Sequence, residues 1–423
     1  MTVAILVGIW LIAIFLGIPV GVALLGISLG YFVYTGASLS FALNHIIGGI
    51  DSFSLLAVPL FILTGNLLNS GGITDRLFGF ARTLVGHRPG GLGHVNVLAS
   101  LFFSGMSGSA MADTGGLGKL EIKAMRDAGY DDDFSCSVTA ASSIIGPLVP
   151  PSITMVLYGV VTNTSIGALF LGGVLPGVLC TAALMVMVHR YAIKNNYPTD
   201  KKSTCAEKWQ SLKKSFSVLL TPFIIIGGLF SGFFSPTEAA AITVFYALVI
   251  DRIQYHELTW KKLWDSLYET ATVTSSISVI ITGVSLFGYI VAREQAPQQI
   301  VNLFLGMTES PIIFMFIVCF VLFILGSFIE SLAIMMMVIP ILAPVAAHYG
   351  IDSIHFGVVV VLNLMISTLT PPMGMALFVV SKVAEVDFGR IMKSIWPWLV
   401  PPTVVLILTV LIPQIATLLP SLL

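Results

Sequence analysis

Charge is what this 423-residue sequence has least of: Asp, Glu, Lys and Arg together make up 10%, against about 25% in an ordinary soluble domain. So few charges exclude a water-exposed globular surface for most of the chain. The net charge of −1 says nothing about partners, and no basic stripe points to nucleic acid. The four cysteines, Cys136, Cys180, Cys205 and Cys319, lie far apart with no CxxC spacing. They read as small apolar fillers rather than a disulfide framework. The seven histidines are dispersed and no HExxH occurs, so an intramembrane enzyme lacks its acid–base or metal constellation. A nucleotide-driven pump lacks its phosphate loop, because "GGLGKL" (115–120) has neither the required first glycine nor the hydroxyl after the lysine.

Apolar residues fill the space, at 56% of the chain. Runs of spanning length recur at roughly 3–35, 52–70, 134–160, 168–189, 216–234, 270–291, 356–381 and 394–419. About 20 apolar residues cross a bilayer core, so the fold class is an all-α polytopic membrane protein whose solvent is the lipid bilayer. No basic segment or small-residue cleavage site marks the N-terminus, which reads as a retained helix rather than a signal peptide.

The basic residues give the orientation. Seven of 20 fall in 190–214; twelve more group as Arg76, Arg82 and Arg88, as Lys119, Lys123 and Arg126, as Arg252, Lys261 and Lys262, and as Lys382, Arg390 and Lys393. Positive residues mark cytoplasmic ends. The connections 36–51 and 161–167 have no Lys or Arg and are expected outside. Segment 92–130 then begins and ends in the cytoplasm although its middle, "LASLFFSGMSGSAMAD", is apolar. It is expected to be a re-entrant hairpin with its tip near "SGMSGS". Segment 311–346 has both ends outside and must turn back near "GSFIE".

After each hairpin comes a span interrupted by a double proline, Pro150-Pro151 and Pro371-Pro372. Pro151 to Pro372, Pro176 to Pro397 and Gly105 to Gly326 are all 221 residues apart. The reading is a scaffold helix in 1–44; a repeat in 45–190 with a hairpin at 92–130 and a broken helix at 134–160; linking segments in 191–269; and an inverted-topology repeat in 270–423 with a hairpin at 311–346 and a broken helix at 356–381. In the linking segments, 216–234 and 236–250 form a helical pair with "FFSPTEAA" at its outer turn. The amphipathic stretches 76–90 and 297–307 read as interfacial arms holding the hairpins. Inverted repeats with broken helices are the build of secondary transporters.

Irregular backbone survives at membrane depth only where protein or a polar cavity satisfies it. One intramembrane proline is ordinarily a tolerated kink, and Gly or Ser is ordinarily a packing surface; two such clusters at one offset read as function. Carbonyls freed near Gly146, Pro147, Pro150 and Pro151, with hydroxyls of Ser104, Ser107, Ser109 and Ser152, form one set of hard oxygens. The second set lies around Gly326, Ser327, Thr368, Thr370, Pro371 and Met373. Hard cations take such ligands, and the scarcity of carboxylates suits Na⁺, with two or more ions expected. Half-helix N-termini at the breaks favour an anionic substrate. Ser107, Ser152 and Glu330 are the candidate substrate contacts, Glu330 because a charge inside a hairpin is functional by default. Asp113 is a candidate for capping or hairpin packing, and Asp131, Asp132 and Asp133 for capping the helix that follows them. His348 and His355 are expected in an external loop with no metal spacing.

The stretches "SGMSGSAMADTGGLG", "GYDDDFSCSVTAASSIIGPLVPPS", "FSPTEAAA", "VAREQAPQ", "LGSFIESLAIMMMVIPI" and "STLTPPMG" resemble the large membrane subunit of tripartite ATP-independent periplasmic (TRAP) transporters. The resemblance runs over nearly the whole chain. It implies an elevator-type permease of a bacterial inner membrane that imports an organic acid, a C4-dicarboxylate or a sialic acid, with Na⁺. It further implies a small four-helix membrane subunit and a periplasmic substrate-binding protein, each expected as a separate chain. Ser107, Ser152 and Glu330 fall where the family's transport-critical residues lie, Glu330 at a position commonly Asp. Breaks 146–152 and 368–373 fall where the family is expected to hold sodium. The competing expectation is a stand-alone sodium- or proton-coupled anion transporter, or a channel, working without a binding protein.

Overall fold

The computed structural model describes residues 2–70 and 72–422, and every regular element among them is helical. Hydrocarbon requires this, because a helix satisfies its backbone within one segment. The first apolar run, expected as one span over 3–35, is two helices: α1 (Thr2–Phe15) and α2 (Val20–Tyr34). Gly17 has φ +87° and Pro19 lacks an N–H, so the helix cannot continue through Leu16–Pro19. The chain turns there far enough for the Trp10 indole to donate to the Val20 carbonyl at 3.4 Å. The connection 36–51 is mostly helix, α3 (Leu39–Ile50), bent by 50° against the segment that becomes α4 (Ala57–Ser70).

Then come α5 (Ile73–Val85), the first arm, and the first hairpin. The hairpin descends as α6 (Gly91–Ser107), turns at Gly108, and returns through α7 (Ala110–Ala112), a π turn (Asp113–Leu117) and α8 (Gly118–Asp127). The first broken span is α9 (Asp132–Ser143) and α10 (Ile153–Thr162), followed by α11 (Ile166–Asn195). The linking pair is α12 (Cys205–Phe230) and α13 (Pro236–Ile250). Each starts with a reciprocal cap, Thr204 with Glu207 and Ser235 with Glu238.

The second half comprises α14 (Trp260–Arg293), the arm α15 (Ala296–Met307), the hairpin α16 (Pro311–Gly326) and α17 (Ser331–His348), the broken span α18 (Ser353–Ser367) and α19 (Met375–Ala384), then α20 (Phe388–Ser394) and α21 (Val400–Leu411). Arm α15 meets α16 at 116°, so it lies across the hairpin it precedes. Helix starts in the two halves pair as 39 and 260, 73 and 296, 91 and 311, 110 and 331, 132 and 353, 153 and 375, and 166 and 388. The offset never leaves 220 to 223. One element order is therefore used twice, and the basic residues give the two copies opposite topologies.

Helix α14 packs along α2, α3 and α4, while α12 packs on α5 and α13 on α4, making an outer frame. Within it, the hairpins and broken spans of the two copies are joined at both ends. At the cytoplasmic end Arg126 contacts Asp132 at 2.5 Å and donates to the Ala384 carbonyl at 2.6 Å. Arg390 reaches across to Asp133 at 2.5 Å, and that carboxylate raises the Arg390 pKa. Of the three aspartates expected to cap α9, only Asp131 does so, accepting from the Phe134 N–H at 2.7 Å; Asp132 and Asp133 are committed to arginines. At the outer end the Tyr158 hydroxyl donates to the Ser353 carbonyl at 2.9 Å. His355 is no loop residue: it is buried in the first turn of α18, with Nε2 2.7 Å from the Thr409 carbonyl oxygen. His348 ends α17.

Helix α14 has 34 residues, about 51 Å at 1.5 Å per residue. Its cytoplasmic turns carry Trp260, Trp264 and Tyr268 at 82%, 66% and 71% exposure, beside Lys261 and Lys262. Such aromatics sit at the headgroup level.

Candidate substrate and cation site

Both tips and both breaks face one cavity of about 110 Å³. Hairpin 1 contributes Gly108, Ser109 and Met111, the first break Pro147, Ile153 and Thr154, the second hairpin Glu330 and Ser331, and the second break Thr368. Val273 and Ile277 of α14 close one wall. Two elements from each copy thus converge, as expected where inverted repeats meet.

The first tip is seated on the first break by the absence of a side chain. Gly108 has φ +60°, and a Cβ there would stand 2.2 Å from the Pro151 carbonyl oxygen and 3.2 Å from Ser152 Cα. Ser107, the residue before this glycine, and Ser152 stand on the two sides of that contact, and neither is among the residues lining the cavity. Ser107 is 2% exposed, and its hydroxyl oxygen has no hydrogen-bond partner. A buried, unsatisfied hydroxyl calls for a ligand or a water. Ser152 caps α10, accepting from the Met155 N–H at 3.2 Å and donating to the Pro147 carbonyl at 2.5 Å. Ser109 caps α7 through the Ala112 N–H at 3.4 Å. Gly146 packs on this tip, its built Cβ lying 3.4 Å from Ser109 C. The Pro150-Pro151 and Pro371-Pro372 bonds are both cis.

The second set assembles in the same manner. A Cβ on Gly326 would lie 2.0 Å from Ser367 Oγ, so hairpin 2 sits directly on the second break. The Met373 N–H donates to the Ser327 carbonyl at 3.2 Å. Thr368 and Thr370 donate to the Met365 and Ile366 carbonyls at 2.7 and 3.0 Å; Ser104 does likewise to Leu101 at 2.6 Å. Each such hydroxyl has spent its one proton on the helix and keeps lone pairs, the state in which it can ligate a cation. Ser104 sits one turn below the tip, and the Met373 side chain is exposed, so Met373 offers its backbone rather than its thioether. No group of three or more His, Cys, Asp or Glu with metal-holding geometry occurs among the described residues; the two sets offer hydroxyl and carbonyl oxygens.

Glu330 is partly buried, lines the cavity, and caps α17 by accepting from the Ala333 N–H at 3.2 Å. Its carboxylate thereby satisfies the positive end of that helix. Asp113 caps no helix: it is 2% exposed in the π turn, with the Ser100 hydroxyl as its neighbouring hydrogen-bonding group. A polar chain behind the tip was not foreseen from the sequence. Asn96 donates to Glu121 at 2.6 Å and Thr139 at 2.7 Å, Ser142 donates to Asn96 at 2.8 Å, and Ser100 to Ser142 at 3.0 Å. Glu121 lies between Lys119 and Lys123, so in the sequence it looks like a surface charge. It is 1% exposed.

Inverted repeats whose re-entrant tips and broken spans meet around a charge-poor cavity define a secondary-transporter permease. The family model described as Tripartite ATP-independent periplasmic transporter, DctM component, matches residues 7–415. The chain belongs to this family and is a multi-pass protein of the bacterial inner membrane. It is 53% identical over 414 residues to the sialic acid TRAP transporter large permease protein SiaM of Vibrio cholerae, covering 98% of this chain and 97% of that one. It is 50% identical to the sialic acid TRAP transporter permease protein SiaT of Haemophilus influenzae, over 98% of this chain and 68% of the relative. Identity to the C4-dicarboxylate large permease protein DctM of Rhodobacter capsulatus is 32%, over the full length of both. Among solved structures, the Alcanivorax borkumensis YdaH transporter, described as having an unusual topology, superposes with TM-score 0.64 at 12% identity over 88% of each chain. That likeness is one of fold alone.

Proposed function

We propose that this protein is the sodium-coupled large permease subunit through which a bacterium imports sialic acid, working with a small four-helix membrane subunit and a periplasmic binding protein. The observation that carries this reading is the convergence of both tips and both breaks on one cavity. The choice of acid is supported by the two sialic acid relatives at 50% identity or more, against 32% for the C4-dicarboxylate one.

The substrate carboxylate takes the unpartnered Ser107 hydroxyl and the first-turn N–H groups of α10, whose Ile153 and Thr154 line the cavity. Helix N-termini hold anions in this way. The end of α17 is already satisfied by Glu330, and a second carboxylate beside it would be repelled. Glu330 instead receives the hydroxyl or amide groups of the sugar while holding the second tip closed. Sodium ions take the lone pairs of Ser104, Ser109, Thr368 and Thr370 with carbonyls at Gly146, Pro147, Pro150 and Gly326. Sodium then stiffens the two breaks that shape the anion seat, so each ligand strengthens the other by the same factor. The inner halves, joined at both ends, move as one body against the α14 frame, an elevator motion.

Uptake of labelled sialic acid into proteoliposomes carrying the purified complex tests this. Uptake is expected only with an inward sodium gradient and binding protein, and the sodium Kd is expected to fall when substrate is present. Equal uptake from a proton gradient in sodium-free buffer, or without binding protein, would overturn it.

A further inference from the structure

Away from the central cavity, a second one of about 380 Å³ opens where the first arm hands over to the first hairpin. Arg88 comes from the link between α5 and α6, His94 from the first turn of α6, and His189 and Arg190 from the last turns of α11. No carboxylate lines it. Neither arginine takes part in an ion pair among the described residues, whereas the neighbouring Arg82 is bound by Asp200. His94 is 4% exposed, and its Nε2 has no hydrogen-bond partner. Its ring lies 6.2 Å from that of His189. Two guanidinium groups without a carboxylate counter-charge, beside two imidazoles, form an anion site, and a guanidinium matches the fork of phosphate oxygens.

The location says which anion. Helix α11 has 30 residues, about 45 Å, and the bilayer core takes about 30 Å of that. Its start is outside, so Met185 to Arg190 stand at the cytoplasmic headgroup level. The wall below the cations is apolar, with Met185 and Val186, and Val186 is exposed on the outer face of the helix. A cationic rim above an apolar strip suits a headgroup with its acyl chain. The fold itself does not require the cluster. In the second copy, offset by 220 to 223 residues, Arg88 corresponds to the span from Thr308 to Pro311, His94 to 314–317, and His189 and Arg190 to 409–413. None of those residues is basic. The basic cluster lies on the side where anionic lipid headgroups and positive residues meet.

We propose that this cavity binds the phosphodiester headgroup of an anionic phospholipid of the cytoplasmic leaflet, at the joint about which the first hairpin moves on its arm. The test is lipid retention by purified full-length protein, counted by native mass spectrometry after equilibration in mixed phosphatidylglycerol and phosphatidylcholine micelles. Wild type is expected to retain phosphatidylglycerol in excess, and Arg88→Gln with Arg190→Gln to lower that excess about tenfold. Both arginines are exposed, so the pair folds as wild type. A charge-matched control, Lys201→Gln with Lys202→Gln, removes two exposed cytoplasmic lysines outside the cavity and should retain lipid like wild type. Undiminished retention by the arginine pair would overturn the proposal. So would an equal loss in the lysine pair, which would mean diffuse attraction, or full displacement by millimolar inorganic phosphate, which would mean a free-phosphate site.

Discussion

Replacing Gly108 by alanine tests whether transport depends on the first tip resting against the first break. Two costs add at this position. The backbone is left-handed, with φ +60°, which charges an L-residue roughly 1–2 kcal/mol. The new Cβ would also meet the Pro151 carbonyl oxygen at 2.2 Å and its carbon at 2.9 Å. Both are backbone atoms, so the tip or the break must shift, and overpacking of this kind costs about 1–3 kcal/mol. The seated arrangement loses about 2–5 kcal/mol in total, and the lower figure already corresponds to roughly thirtyfold in its population. Gly129→Ala separates the terms, because Gly129 has φ +85° with nothing within 4 Å of its built Cβ. Initial uptake rates in proteoliposomes at matched protein content, with thermal unfolding in parallel, compare the two. Gly129→Ala is expected to melt earlier and transport normally, and Gly108→Ala to lose at least about tenfold in uptake. If both variants transport alike, the contact between tip and break does not govern transport.

Four further outcomes follow from the geometry. Ser107→Ala should cut substrate affinity about tenfold or more, as expected for losing a hydrogen bond to a charged group. Its melting temperature should stay unchanged, since the hydroxyl touches no protein partner; unaltered uptake kinetics would remove Ser107 from the site. Ser152→Ala should lower both uptake and stability, the latter by about 0.5–2 kcal/mol, because it deletes the α10 cap. In a Cys205→Ser background, Cys205 being exposed, Lys119→Cys should label only from the cytoplasm and His348→Cys only from the periplasm; labelling of both from one side contradicts inversion. Glu207 is held below its usual pKa by the Thr204 backbone N–H and hydroxyl. Its ionised form therefore supports the start of α12 above the unfolded carboxyl pKa, and that support fades as pH falls through the lowered value. Amide exchange in the first turn of α12 should rise in that acid window for wild type and stay flat for Glu207→Gln.

The large features were legible because each leaves a mark in linear order. A hairpin betrays itself by basic residues at both ends of an apolar segment, as at Arg88 and Lys119. Duplication betrays itself by Pro151 and Pro372 at one offset. The split at Gly17 and Pro19 was equally visible, but the length of the surrounding apolar run hid it. Helix α3 is not marked in this way, because 36–51 has no Lys or Arg to fix its ends. Partners distant in sequence leave no such mark. Asn96, Glu121 and Ser142 look unrelated until α6, α8 and α9 pack, and Asp132 looks like a cap until Arg126 turns back and Arg390 arrives from the other copy. The identities of the candidate site residues were readable from the two breaks; which hydroxyls are already engaged was not, since that depends on the helix carbonyl beneath each one.

Helix α14 stands in the outer frame, anchored at one end by Trp260, Trp264 and Tyr268, and it also forms part of the cavity wall through Val273 and Ile277. Its apolar part, 270–291, is about 33 Å long at 1.5 Å per residue, which matches a bilayer core of about 30 Å. Val273 is five residues beyond Tyr268 and Ile277 nine, so this wall stands about 8 to 14 Å deeper than the interfacial anchor. The aromatic anchor at the membrane surface and this wall of the chamber therefore belong to one rigid helix, which ties the depth of the chamber to the plane of the headgroups.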